Sequence, residues 1–276
     1  MPYMSRKLND ISDVFCLETS DTTGYAVDWH AHDCHMLLLP RQGSLFLSTE
    51  STQSTHVCRQ AFSFVPADFA HATVAAPGRE EHMTLYVDAT YVKRQGLIHG
   101  YRTLADQVNR PGIWESTNVL DGILRLHDQL ESSISNAAFQ RQLPHLKHLI
   151  FEECARAIAS HPTSQLNEHK SHALLVQDIQ RYVRENLETD LNVEFLAHEF
   201  HLSRRHLTRI FKTVAHETLS EFTMRARVEK AAHLISTTSF SILEVSLLVG
   251  LDSPSYLARL FKRFLGRSPS EMRRPR

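Results

Sequence analysis

Basic and hydroxyl side chains recur at helical spacing in the segment 203–214. Leu207, Ile210 and Phe211 fall at positions i, i+3 and i+4, which places them on one apolar face of a helix. The residues of another face can all donate hydrogen bonds; they are Arg205, Thr208, Arg209 and Lys212. Arginine can donate two hydrogen bonds to guanine, and lysine can neutralise a phosphate. The spacing therefore predicts a helix that packs on one side and is free to contact DNA on the other.

The same pattern occurs again 50 residues further along the chain, where LARLFKRF at 257–264 matches LTRIFKTV at 207–214. The second apolar face consists of Leu257, Leu260, Phe261 and Phe264. The polar residues outside it are Ser255, Arg259, Lys262 and Arg263. Such a duplication indicates two copies of one structural unit.

Each of the two helices is preceded by the signals of a helix-turn-helix unit. In the first unit, residues 193–200 form the partner helix and Ser203 is the N-cap. The second unit has a capping box, a glycine turn that favours positive φ and a serine-proline helix start; these are Ser241 with Glu244, Gly250, and Ser253 with Pro254. The helical stretch 219–235 between the units would be roughly 25 Å long, which could space the two helices about one DNA turn apart.

Charge is distributed unevenly along a chain whose formal net charge is −1. From residue 203 onward, 14 Lys or Arg stand against 6 Asp or Glu, a balance of +8, and the preceding residues sum to −9. A basic region joined to an acidic one is typical of a nucleic-acid-binding module attached to another domain. We find neither a signal peptide nor an apolar run that could span a membrane, so we expect a cytoplasmic protein. The four cysteines are irregularly spaced and predict neither a disulfide framework nor a zinc ribbon.

Periodicity divides the chain into four parts, and we expect an α+β fold class. Short alternating runs between residues 11 and 88 predict a small β-barrel or sandwich, and we assign residues 1–102 to this domain. Residues 103–159 change to helical period and predict two long helices that pack on the barrel or pair between subunits. The polar, proline-containing stretch 160–171 predicts a linker, and 172–276 predicts a helical DNA-binding domain.

The C-terminal hundred residues resemble the AraC/XylS family of transcriptional regulators. The residues that carry the resemblance are Ala197, Leu202, Ser203, His206, Leu207, Arg209, Phe211, Lys212, Gly250, Ser255, Tyr256, Arg259, Phe261, Lys262, Gly266, Ser268, Pro269 and Arg273. Two departures are small: His216 stands where the first unit often has glycine, and Ser246 where the second often has alanine. We expect the first departure to affect a helix C-cap and neither to change the fold.

The resemblance implies that exposed positions of both recognition helices contact base edges; these are Arg204, Arg205, Thr208, Arg209, Ser255 and Arg259. Other residues are better placed for phosphate, which orients the protein without specifying sequence. They are Ser203, Lys212, Ser253, Lys262 and Arg263. Since Pro254 and Ser255 replace the first two arginines, we expect the first unit to carry more of the specificity.

The segment 24–43 resembles the first cupin motif, and 66–71 (PADFAH) resembles the cupin turn P-x-G-x-x-H. His30 and His32 are two residues apart, so both imidazoles lie on one face of a strand. In metal-binding cupins, the histidine that corresponds to His71 joins them around a divalent metal. Three imidazoles could hold zinc or iron with one open site, which Cys34 or His35 could fill.

Departures from the cupin pattern keep a second interpretation open. Met36 stands where the usual glutamate is expected, and Asp68 where the turn usually has glycine. Regulators of this family often use the barrel as an effector pocket without a metal. His30, His32 and His71 are therefore candidates for either an effector pocket or a metal site, and no other cofactor is expected. Aromatic candidates for the pocket wall are Trp29, Phe46, Phe64 and Tyr86.

The leading hypothesis is a sequence-specific transcriptional regulator controlled through its N-terminal domain. We do not expect an enzyme, because no paired carboxylates, activated nucleophile or glycine-rich phosphate loop accompany the histidines. The expected partners are double-stranded promoter DNA, a small-molecule effector, a second copy of the chain and RNA polymerase, with no membrane partner. The alternatives are a metal-dependent cupin enzyme or metal sensor fused to a DNA-binding domain, and a ligand-independent regulator whose N-terminal domain only dimerises.

Overall fold

The computed structural model describes residues 5–6, 14–22, 24–50, 52–78, 81–99, 110–161 and 168–273. The chain divides into two compact units, Met1–Ser171 and His172–Arg276. Within the described ranges, no helix has both the length and the apolar content needed to cross a membrane.

The described part of the N-terminal unit is built on two five-stranded sheets. Its strands are β1 Ser5–Arg6, β2 Phe15–Ser20, β3 Ala26–His32, β4 Cys34–Gln42, β5 Ser44–Thr49, β6 Thr52–Cys58, β7 Ala61–Val65, β8 His71–Ala75, β9 Glu81–Asp88 and β10 Gly112–Glu115. One sheet has the order β1-β3-β8-β5-β6 and the other β10-β7-β4-β9-β2. Apart from the parallel β1–β3 pair, the described strands pair antiparallel. The α+β fold class is confirmed, but the described strands form two separate sheets rather than one closed barrel.

The helices among the described residues of this unit are α1 Ala89–His99, α2 Asn118–Ser133 and α3 Asn136–Ser160. The main core lies between the second sheet and these helices, where Phe62 and Leu85 of the sheet meet Leu124 of α2 and Ile150 of α3 in one buried cluster. Burial of such side chains stabilises the unit by about 1.5–3 kcal/mol each. The core explains why the helices lie on one side of the second sheet.

Two elements differ from the periodicity-based division of the chain. Helix α1 follows the alternating runs of 11–88, in a part of 1–102 for which no helix is predicted, and strand β10 lies inside 103–159, for which the periodicity predicts helices. β10 pairs with β7, and its Trp114 ring stacks on Phe62 with 6.1 Å between ring centroids. A four-residue strand is too short to show a period of its own, and its partner strand is distant in the chain.

The C-terminal unit consists of helices α4 Glu168–Glu185, α5 Val193–Glu199, α6 Arg204–Ala215, α7 Leu219–Thr237, α8 Ile242–Leu248, α9 Pro254–Leu265 and α10 Pro269–Arg273. Helix α4 begins at Glu168, within the segment predicted to be a linker, but its buried apolar residues start only at Leu175. This explains why the first turn shows no apolar period. The two helix pairs α5–α6 and α8–α9 lie on either side of α7 in the sequence, as the duplicated pattern predicts.

Candidate nucleic-acid interface and a buried histidine cluster

Helix α6 has one buried face and one exposed face. Leu207, Ile210 and Phe211 are each at most 1% exposed, so they anchor the helix in the core. The predicted base-reading and phosphate-binding residues of this helix are all exposed; they are Arg204, Arg205, Thr208, Arg209 and Lys212. Ser203 caps the helix as predicted, since its Oγ accepts a hydrogen bond from the His206 N–H at 3.2 Å. The four arginine and lysine side chains thus project from a rigid, capped helix.

Helix α9 repeats this arrangement. Leu257, Leu260 and Phe261 are buried, and the remaining predicted contact residues of the helix are exposed: Ser255, Arg259, Lys262 and Arg263. Ser253 is half-buried, and its Oγ accepts a hydrogen bond from the Tyr256 N–H at 3.3 Å, while Pro254 is the first helical residue. The two recognition helices therefore have equal lengths of 12 residues and the same type of cap.

Several of the exposed groups have a partner within the unit. Nη1 of Arg204 lies 2.8 Å from Oε1 of Glu194, and Nη2 of Arg209 donates to Nδ1 of His206 at 3.3 Å. The Arg259 guanidinium lies 5.3 Å above the Tyr256 ring. Exposed ion pairs contribute only about 0–1 kcal/mol, so DNA phosphates or bases can replace these partners at little cost.

Thr208 is placed differently from the arginines. Its Oγ1 donates to the carbonyl oxygens of Arg204 and Arg205, at 2.9 and 3.2 Å. The hydroxyl hydrogen is therefore used within the helix. What Thr208 offers outward is its methyl group, which can contact a thymine methyl, and the oxygen lone pairs, which can accept a hydrogen bond.

Arg227 of α7 is a buried arginine that links this helix to the loop after α4, and the sequence did not predict this role. It is only 8% exposed, and it donates from Nε to the carbonyl oxygen of Leu187 at 3.1 Å and from Nη2 to that of Thr189 at 2.8 Å. Arg227 stands between Ala226 and Val228, which are both buried. An arginine between two small apolar residues of a helix was the only sequence feature that could have indicated its burial. Arg227 therefore connects the loop after α4 to α7, the helix that lies between the two helix-turn-helix units in the sequence.

The N-terminal unit contains a second group of polar residues, in which the structure brings together the three predicted histidines. One ring nitrogen from each of His30, His32 and His71 lies within 4.8 Å of the others. His30 and His32 belong to β3, and His71 is the first residue of β8, where it pairs across the strands with His30. His32 and His71 are buried and His30 is half-buried. Burial lowers the pKa of His71 to about 4, so this imidazole is neutral near pH 7.

Other predicted neighbours lie outside this cluster. Among the described residues, neither Cys34 nor His35 joins the three histidines as a fourth ligand. Burial raises the pKa of the Cys34 thiol to about 12, and His35 instead accepts a hydrogen bond at Nδ1 from the Ala67 N–H at 3.0 Å.

Of the aromatic residues predicted to line the pocket, some lie beside the histidine cluster and others do not. The Tyr86 ring lies 5.0 Å from the His32 ring, so this residue borders the cluster. Trp29 is 44% exposed, and Phe64 belongs to the core under the helices, so neither forms an enclosed wall around the histidines. Phe46 packs on His56, 5.5 Å between ring centroids.

Comparisons with known proteins find similarity to transcriptional regulators. The model of a helix-turn-helix domain matches residues 196–275. Regulatory protein SoxS of Escherichia coli strain K12 is 31% identical over 103 residues, which are 37% of this chain and 96% of SoxS. The uncharacterized HTH-type transcriptional regulator YfiF of Bacillus subtilis strain 168 is 32% identical over 141 residues, which are 50% of this chain and 44% of YfiF. These relatives are named as regulators rather than as enzymes.

A solved structure is also similar to part of the chain. The C-terminal domain of AraT, a response regulator from Geobacillus stearothermophilus, is 29% identical. The match covers 41% of this chain and 89% of that domain, with a TM-score of 0.36.

Proposed function

Because the chain belongs to the AraC/XylS family of transcriptional regulators, we propose that the exposed faces of α6 and α9 read operator DNA. The chain is a regulator that binds double-stranded DNA. The observation that carries the proposal is the duplicated capped helix, which buries its apolar face and exposes arginines. We assign base contacts to Arg204, Arg205, Thr208, Arg209, Ser255 and Arg259, and phosphate contacts to Ser203, Lys212, Ser253, Lys262 and Arg263.

The two units contribute unequally in this proposal. Helix α6 presents Arg204, Arg205 and Arg209, whereas α9 has Pro254 and Ser255 at the positions of the first two. A bidentate contact between arginine and guanine is worth about 1–3 kcal/mol of discrimination, and serine offers one hydroxyl. The first unit therefore carries more of the sequence specificity, and the second adds Arg259 and contacts to the backbone.

The test is enrichment of bound sequences from a random double-stranded library, followed by titration of the recovered operator and of random DNA at fixed salt. Arg209→Ala and Arg259→Ala should each stay folded and lose about 1–3 kcal/mol of discrimination. Arg141→Ala, which removes an exposed arginine of α3, should match the unmodified protein. Full specificity in both recognition-helix variants would overturn the assignment of the reading faces.

We further propose that the chain acts as a homodimer in the cytoplasm, with promoter DNA and RNA polymerase as its partners there. The support for dimerisation is an exposed apolar stripe on α2, where Val119 is 56% and Leu126 is 43% exposed, seven residues apart on the same face. Leu126→Asp should shift sedimentation equilibrium toward the monomer, whereas Gln142→Asp on α3 should not. Unchanged sedimentation of Leu126→Asp would contradict a dimer through α2.

The N-terminal unit is the proposed place of effector control. Its support is the cluster of His30, His32 and His71, which places hydrogen-bonding atoms in a largely buried position. An effector can regulate the protein only if it binds two states of the chain with different affinity. Operator titrations with and without effector measure this difference, and equal affinities across an effector panel would leave only the dimerisation role.

A further inference from the structure

The ring orientation of two histidines in the cluster fixes where their protons lie. Nδ1 of His30 is 2.7 Å from the Asp28 carbonyl oxygen, and Nδ1 of His71 is 3.0 Å from the Phe69 carbonyl oxygen. A carbonyl oxygen can only accept, so both Nδ1 atoms carry the hydrogen. In the neutral ring, Nε2 is then an acceptor with an available lone pair. His30 and His71 thus present two lone pairs and no donor at their Nε2 atoms.

These lone pairs lie close together, and the described residues do not supply a hydrogen bond to each of them. Nε2 of His30 lies 3.1 Å from Nε2 of His32, so a proton on His32 can serve one of the two acceptors. Nε2 of His71 has no hydrogen-bond partner among the described residues, and His71 is 1% exposed. A buried acceptor left unsatisfied costs about 1–3 kcal/mol. A cation at this position would satisfy several lone pairs at once.

We propose that His30, His32 and His71 bind a divalent transition-metal ion, and that this ion is the effector of the regulator. The role of the ion as effector rests on the proposed function. Metal-binding histidines almost always donate their other ring N–H to a carbonyl or carboxylate, which fixes the tautomer and aims the lone pair. Asp28 and Phe69 supply these two carbonyls through their backbones.

The donor set selects among metals. The described residues place three imidazoles in the group and no carboxylate. Imidazole favours zinc, copper, nickel and iron, whereas magnesium, calcium and manganese prefer oxygen ligands. We therefore expect Ni²⁺, Cu²⁺ or Zn²⁺ to bind more tightly than Mn²⁺ or Mg²⁺. Three protein ligands also leave a position of the ion open.

Binding requires only a small closure of the cluster. Zinc–nitrogen bonds are about 2.0–2.1 Å long, so two nitrogens on a tetrahedral ion are about 3.3 Å apart. The ligand atoms already lie within 4.8 Å of one another. Because His30 and His71 pair across β3 and β8, the bound ion would connect two neighbouring strands. Metal should therefore raise the thermal stability of the N-terminal unit, as any ligand of the native state does.

The first experiment measures the metal directly. Full-length protein is stripped with a chelator and titrated with Co²⁺, followed by its visible absorption, and then with Zn²⁺ in competition. We expect one ion per chain. His71→Gln and His30→Ala should weaken binding by at least about 100-fold, since even partners outside the ligand set change affinity by about 10–100-fold. His30 is half-buried and its substitution keeps the test valid if His71→Gln fails to fold.

A matched control separates the cluster from the other histidines of the chain. His145 lies exposed on α3, and His145→Ala should bind the ions like the unmodified protein. Less than half an equivalent of Zn²⁺, Ni²⁺ and Cu²⁺ at micromolar concentrations would overturn the metal site. Binding by His30→Ala or His71→Gln as tight as that of the unmodified protein would overturn it as well.

The second experiment measures operator affinity of the stripped protein and of the same protein with Zn²⁺. A change of at least about 5-fold, the lower end of typical coupling between two sites, supports the ion as effector, and it should vanish in His30→Ala. Stoichiometric Zn²⁺ with unchanged operator affinity would overturn the effector role. Failure of both forms to prefer any DNA sequence would instead contradict the proposed function, independently of the metal titration.

Discussion

The backbone of Gly250, in the turn between α8 and α9, passes so close to Leu187 that a β-carbon at position 250 would lie 2.2 Å from the Leu187 carbonyl oxygen. The same atom would lie 2.9 Å from Nη2 of Arg227, whose Nε donates to that carbonyl. The loop after α4, the middle of α7 and the turn of the second helix-turn-helix unit therefore meet at one point. This contact sets the position of α9 relative to the rest of the C-terminal unit.

Gly250→Ala should destabilise the C-terminal unit by about 2–4 kcal/mol, because the new methyl group meets backbone and Gly250 has a φ of 73°. Gly266→Ala is the matched control. Gly266 has a φ of 71°, but a β-carbon there would meet no neighbouring atom of the described residues within 4 Å, so this variant should lose only about 1 kcal/mol of stability. Urea unfolding followed by circular dichroism measures both. Equal losses of stability in the two variants would show that the positive φ alone, and not the close approach to Leu187, accounts for the effect at Gly250.

His216→Gly should stabilise the same unit by about 1 kcal/mol, because His216 ends α6 in the left-handed region with a φ of 58°. Its backbone N–H, which donates to the Lys212 carbonyl at 3.1 Å, is retained by glycine. His233→Gly, in the exposed interior of α7, should instead cost about 0.5–1 kcal/mol. Urea midpoints that move in the same direction for both variants would argue against strain at His216.

Arg205→Ala and Lys212→Ala should have different effects on DNA binding. Loss of Arg205 should reduce discrimination between operator and random DNA by about 1–3 kcal/mol. Loss of Lys212 should weaken both by similar factors and reduce the slope of log affinity against log salt by about 1. Anisotropy titrations at several salt concentrations separate the two effects. If Lys212→Ala instead lost discrimination at constant salt slope, its assignment to phosphate would be wrong.

Stability of the N-terminal unit should depend on the ionisation of Glu153. The Arg156 guanidinium and the Thr117 hydroxyl donate to this carboxylate and hold the pKa of Glu153 below its usual 4.5. The contribution is therefore fully present above about pH 4.5 and is lost as the pH falls through the lower pKa of the folded state. Glu153→Gln should cost about 1 kcal/mol at pH 7 and less at pH 3.5, measured by urea unfolding.

Glu152→Gln tests whether this dependence belongs to Glu153, since Glu152 is the adjacent glutamate of α3 and its Oε1 lies 3.7 Å from Nε2 of His148. It should leave the difference in stability between pH 7 and pH 3.5 unchanged. A Glu153→Gln variant that loses as much stability at pH 3.5 as at pH 7 would show that packing, not charge, makes this residue important.

Features that depend on neighbouring residues were predictable from the chain. The serine caps at Ser203 and Ser253 and the capping box at Ser241 are confirmed, as is the positive φ of Gly250. Strand β10 was not predictable, because its pairing partner β7 is distant in sequence. The exposure of Val119 and Leu126 was equally hidden, since an apolar period does not say which side of a helix the core will cover.

The sequence by itself determined the duplicated recognition helices and their basic faces, because caps, turn residues and a 3.6-residue period act within a few positions of one another. Only the tertiary structure decided which lone pairs of His30, His32 and His71 converge, and that Gly250 must pass beside Leu187. Both relationships join segments far apart in the chain. Their geometry depends on how sheets and helices pack, and no local pattern of residue types specifies it.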